Sequence, residues 1–300
     1  MILMFAFTVV PVWAGHVVTP ELRAWAKQAV SQEKELRLVT KPQTVAVLYF
    51  ANPGDDVGLV PLQKGLAVML MTDLAQLDML TVIERTELQA LVEELGFGQS
   101  GLVDEASAPR VGRLLQTEFI IGGQVRRTGD GQLDLSATVL EVGPGKVVGR
   151  ARARGNPDRV FDLEKQLLDT IIPAINIVPS PRQKKQLAKP LAKRPEAAMA
   201  LFEGMDAADK HHFEEASRHY GSALNIDPKF KLARQSLKEL TTLKLAGADV
   251  TPPPPLKRIT KTQRKDLLRS MRNRTSLTTG LTPSLPDSRI PVPAEETREQ

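Results

Sequence analysis

Residues 96–101 read GFGQSG and fit the pattern G-x-G-x-x-G. In dinucleotide-binding folds such glycines follow a strand and open a helix, so that amides and the helix N-terminus face a pyrophosphate. Here the preceding residues have a helical period. Leu88, Leu91, Val92 and Leu95 recur on one side, with Glu87, Glu93 and Glu94 on others. The glycines therefore end a helix, with Gly96 as its left-handed stop. A ribose-binding acid would close the next strand about 20 residues on. Glu118 lies nearest, but it precedes the apolar run FIIGG, where a strand starts. No cofactor is expected.

Other reactive groups are scattered. Glu84 could act as an acid or base, yet no nucleophile or histidine groups with it, which favours a capping or ion-pair role for Glu84-Arg85. Asp55 and Asp56 could chelate a cation, but acids at a helix start are more ordinary. A role for the Asp55 and Glu84 loop edge is the enzymatic rival. His212 and His219 stand seven apart beside His211, with a helix break expected near Phe213; a zinc site needs more ligands than these. The chain has no cysteine, which excludes disulfides, thiolate sites and cysteine nucleophiles. The sequence thus predicts no catalytic residues, no metal and no enzyme.

The elements read as an α/β protein followed by a small all-α part. Residues 1–14 are apolar and uncharged, with Val12 and Ala14 suited to signal peptidase. They are read as a signal peptide, which sends the chain to the periplasm. No other stretch is read as a membrane span. Residues 15–43 form a lead-in with a helix from Pro20 capped by Thr19 and striped by Leu22, Trp25, Ala29 and Val30. Residues 44–176 form the main domain, a mixed sheet of about five strands with flanking helices. TVAVLYF at 44–50 is a strand buried on both faces. Leu62, Leu66, Met69, Leu70, Leu74 and Leu77 mark a long amphipathic helix. MLTVIE is a second strand, and a helix over 107–115 exposes Arg110 and Arg113.

Three further strands are joined by RTGDG and GPG. In the last, Arg150, Arg152 and Arg154 alternate with small residues and so line a wet face. An odd-length loop would set Thr138 opposite Arg150, Ser136 opposite Arg152 and Asp134 opposite Arg154. These arginines are the candidate partner-contact residues. A closing helix runs to Ile175.

Residues 177–195 read as a Pro/Lys linker, 196–246 as a helical unit, and 247–300 as a mostly disordered basic, Pro-rich tail. The tail's LKRITKTQRKDLLRSMRNR could bind anionic lipid or a partner. It has no interleaved aromatics, which disfavours nucleic acid.

The order of strand, long helix, VIER, LVEELGFGQSG and GRLLQTEFIIGGQV resembles the periplasmic domain of the curli secretion channel (CsgG/HfaB) family. It is also similar to the TolB N-terminal domain and to lipoprotein activators of penicillin-binding proteins. The resemblance implies a non-catalytic envelope protein that assembles with others in cell-envelope or surface-structure biogenesis. Its alternatives are a regulator docked on a cell-wall synthase or a subunit of an outer-membrane secretion channel. The chain departs from the channel subunits in having no cysteine to acylate, and its short, arginine-bearing hairpins lack a lipid-facing row. Gly204, Ala216, Tyr220, Ala223 and Pro228 resemble the packing positions of one tetratricopeptide repeat. A single repeat cannot cover its own faces, so it should lean on the main domain, another copy or a partner. Other envelope proteins are the expected partners, self-association is left open, and outer-membrane association would be peripheral.

Overall fold

An unbroken apolar run needs cover on both sides. Val45, Ala46, Val47, Leu48, Tyr49 and Phe50 all have it in the computed structural model, where each is buried. The structure describes residues 17–35, 41–96 and 106–246. All lie in one compact unit, Met1–Leu256; the second unit, Lys257–Gln300, lies outside them. The expected signal peptide, the rest of the glycine pattern after Gly96 and the basic tail also fall outside the described residues.

Strand β1 (Lys41–Val47) runs parallel to β2 (Thr81–Val82) on one side and to β3 (Thr117–Arg127) on the other. Strands β4 (Leu133–Glu141) and β5 (Lys146–Gly155) continue antiparallel. The order is β2-β1-β3-β4-β5, a mixed five-stranded sheet. Helices α2 (Val60–Leu74) and α5 (Val160–Ala174) cover one face. On the other face, α4 (Ala108–Leu115) packs on β3, with α3 (Arg85–Glu94) beside it and α1 (Pro20–Ser31) on α3. Gly112 of α4 sits so close to Ile120 and Val142 that a Cβ there would stand 2.6 Å from a Val142 methyl.

The hairpin register depends on alternation. Thr138 pairs with Arg150, Ser136 with Arg152 and Asp134 with Arg154. The connecting loop, however, is not of odd length. Glu141 pairs with Lys146, which leaves four residues between them, and the register shifts between Val139 and Leu140. A bulge at Val148 supplies the odd residue, so the arginines still turn to the wet side.

Several local expectations change. α2 is not amphipathic: Leu62, Gly65, Leu66, Ala67, Val68, Met69, Leu70, Met71 and Leu74 are buried around its circumference. It is enclosed because the sheet lies on one side and a later helix on the other. Residues 57–74 are apolar enough in length and composition to cross a membrane, with mean hydropathy 1.3. That corrects the reading that no such stretch follows the N-terminus, but here the segment is a core helix. Arg110 keeps a partly exposed side chain, and its guanidinium also donates to both Glu33 carboxylate oxygens, at 2.8 and 2.6 Å. On α1, Ala26 is the buried residue, and Thr19 Oγ1 accepts from the Leu22 amide. The stretch read as a linker holds helix α6 (Pro181–Leu187), opened by a Ser180–Gln183 capping box.

Between α2 and α5, Lys165 pairs with Asp73 and, at 3.1 Å, with Glu164. Glu164 is 1% exposed. Burial and the neighbouring Asp73 push its carboxyl well above the usual range. Asp73 is also raised, chiefly by burial and against the Lys165 ammonium, so Glu164, the more deeply buried of the two, is the acid that keeps its proton. Below the unfolded carboxyl pKa of about 4.3 both states hold that proton. Above it the unfolded chain releases the proton while the native chain retains it, so stability falls as pH rises toward the folded pKa. Glu164→Gln should remove this slope. Urea unfolding of both chains from pH 4.5 to 8 should show a gap in favour of the variant that widens with pH; a constant gap would contradict the assignment.

Candidate functional site

The predicted reactive residues do not come together. Glu84 stands at the start of α3 but makes no side-chain cap, and it forms no ion pair among the described residues. Burial raises its pKa. Its neighbour Glu87 is pushed up to about 7, first by burial and then by the Glu84 charge. No hydrogen bond or ion pair among the described residues joins Glu84 to Asp55 or Asp56. Asp56 instead caps the short turn at 57–59 through the Gly58 amide and holds Arg127 Nε at 2.8 Å. Asp55 has φ 49°. Glu118 accepts from the Gln43 amide at the mouth of β1. Gly96, with φ 75°, ends α3 and accepts no helix start within the described residues.

The histidines are spread around the turn between α7 (Pro195–Asp209) and α8 (Phe213–Ile226). His219 Nδ1 lies 3.1 Å from Glu203, which raises its pKa. His212 lies 3.6 Å from Glu215, and His211 touches Arg23. Among the described residues no group of three His, Asp or Glu could hold a metal ion.

The arginine row is a surface. Arg150, Arg152 and Arg154 are exposed, while Ala151 and Ala153 between them are buried. Arg126 of β3 joins the same face, since Arg126, Asp134 and Arg154 are in register. Arg126 pairs with Asp134 at 3.2 Å and Arg154 with Asp130 at 3.0 Å. No carboxylate among the described residues pairs with Arg150 or Arg152.

The helical unit is a three-helix arrangement of α7, α8 and α9 (Lys231–Thr242). Ala216, Tyr220 and Ala223 are fully buried, and Pro228 follows α8. Gly204 lets α7 and α8 approach: a Cβ there would stand 2.5 Å from the Tyr220 ring. The unit leans on the α/β part rather than standing apart. Gly65 of α2 faces Phe202 of α7, where a Cβ would stand 2.2 Å from the ring.

Beside that contact lies a buried ionic junction that the sequence reading missed. Arg85 Nη1 donates to both Asp209 oxygens at 2.9 Å. Lys64 reaches Asp209 at 2.9 Å and Asp206 at 3.0 Å. The Tyr49 hydroxyl accepts from Arg85 at 3.2 Å and donates to Gln89 at 2.9 Å. Burial raises the Tyr49 pKa and keeps the phenol neutral, and Lys64 holds Asp206 below its usual range against the effect of burial. One signal was available: Lys64 is the one cation in a mostly apolar helix, and a buried cation needs a partner.

The fold is thus an α/β sheet region with a three-helix unit packed on it through Phe202 and a buried ionic junction. Residues 27–133, from within α1 to the start of β4, match the family described as curli production assembly/transport component CsgG. No curated protein matches the chain in sequence. Among solved structures, the chain is similar to the LpoB C-terminal domains from Salmonella enterica and Escherichia coli. Each is 15% identical, with a TM-score of 0.32, and the match covers 45% of this chain and 98% of that one.

Proposed function

We propose that this chain is a non-catalytic assembly or scaffold protein of the cell envelope, acting in the periplasm through contacts with other envelope proteins. The match of residues 27–133 to the curli assembly/transport family carries this reading. Two surfaces serve it. One is the wet arginine face of β5; the other is the outward side of the tetratricopeptide-like unit, whose inner side is taken by α2.

Cell fractionation of the tagged chain, followed by cross-linking in the intact envelope and capture, tests the proposal. The chain should appear in the periplasmic fraction with a reproducible set of envelope proteins. Arg150→Glu/Arg152→Glu/Arg154→Glu should lose at least one of them while keeping its far-UV circular dichroism. Retention of the chain in the cytosol would end the reading. Capture of a cell-wall synthase would turn it toward a docked regulator, and a ring-sized particle in light scattering would turn it toward a channel subunit.

A further inference from the structure

We propose that the outer edge of β5 takes up an extended segment of a partner protein as a sixth strand, and that this segment carries an acidic residue at every second position. The inference rests on the docking function proposed above and specifies its chemistry. β5 ends the sheet, and among the described residues no strand lies along its far side. In an antiparallel ladder alternate residues turn both backbone groups to the neighbour, and the residues between turn theirs away. Beyond the bulge at Val148, residues 149–155 keep a regular register with β4, so every second residue presents a donor and an acceptor outward. Such a row is a template for an added strand.

The side chains say which strand. Directly opposite residues on one face of an antiparallel pair bring their Cβ atoms within about 5.5 Å, where opposite charges attract and like charges repel. An incoming strand would set its wet-face residues beside Arg150 and Arg152, which have no carboxylate partner among the described residues. Carboxylates at those positions would form charge-assisted pairs. A second copy of this chain is the poorer occupant, because two-fold pairing of β5 with itself would bring one arginine row against the other. On the opposite face β5 offers Gly149, Ala151, Ala153 and Gly155, with Gly149 against Ala174 and Gly155 against Leu163 of α5. Guest side chains at the intervening positions would turn to the α5 side of the sheet, where apolar residues suit a covered face. The family match ends at residue 133, before β5 begins, so this edge belongs to the part of the chain that the match does not cover.

Fluorescence anisotropy with the full chain tests this. The probe is a labelled ten-residue peptide alternating Glu and Val. The controls are a Lys/Val counterpart and two Glu/Val peptides, each N-methylated on one set of alternate amides. The Glu/Val peptide should bind and the Lys/Val peptide should not. One N-methylated peptide should bind like the parent. The other, with its blocked amides facing β5, should bind at least roughly tenfold more weakly, a loss of about 1.4 kcal/mol. Arg150→Glu/Arg152→Glu should weaken the parent peptide by at least a similar factor. Equal binding of both N-methylated peptides would overturn strand addition while leaving charge-based docking in place. Equal binding of Glu/Val and Lys/Val peptides, or none by either, would overturn the proposal, even if envelope capture by the intact chain persists.

Discussion

Asp209→Ala should destabilise the folded chain by about 3–5 kcal/mol, the usual result of removing one member of a buried ion pair. The reason is geometric. Asp209 is 1% exposed at its side chain, and it is the acid shared by Arg85 and Lys64, which are 5% and 4% exposed. Without it Lys64 keeps Asp206, but Arg85 loses the two hydrogen bonds it donates from Nη1 to Asp209. In a two-state denaturant titration the midpoint should fall with little change in slope. The double variant Arg85→Met/Asp209→Leu should recover much of the loss, because apolar groups of similar volume can replace a buried pair at little cost. A loss under about 1 kcal/mol, typical of exposed pairs, would show that the junction is not a desolvated ionic contact.

Phe202→Ala should have a comparable effect, about 3–5 kcal/mol for deleting a fully buried phenyl ring. Phe202 is 0% exposed and rests on the bare backbone of Gly65. The cavity would open at the seam between α2 and α7, so the helical unit should loosen first. Amide hydrogen exchange should accelerate more in α7, α8 and α9 than in β3 and β4, where protection tracks the sheet's own packing. Uniform acceleration would mean that the seam is no weaker a boundary than the rest of the core. Gly65→Ala tests the same contact from the other side. Its added methyl meets the ring, and overpacking typically costs about 1–3 kcal/mol.

Much of the fold was legible because period is a local property. The continuous apolar run at 44–50, the alternation in β4 and β5, and the stop at Gly96 each depend on neighbours in sequence. The wet arginine face followed from the same alternation, although the bulge at Val148 did not, since it depends on how a four-residue loop closes. What could not be read was long-range. Burial of α2 around its full circumference depends on α7, more than a hundred residues later. The apolar residues of α2 were therefore mistaken for the stripe of a surface helix. Arg85 looked like half of a local Glu-Arg motif, while its partner Asp209 lay 124 positions away. The Arg110 ion pair was hidden because Glu33, 77 positions earlier, carried no pattern tying it to that helix. Ion pairs leave no periodicity. The one trace available was Lys64, a cation in a mostly apolar helix.

The junction also bears on how such a chain can change over generations. Its cations come from α2 and α3 of the sheet region and its acids from α7 of the helical unit. A neutral replacement of the shared acid Asp209 takes the carboxylate from Arg85, whereas paired replacement of Arg85 and Asp209 is tolerated. A substitution at Asp209 should therefore be accepted only together with one at Arg85, which ties the histories of the two regions to each other.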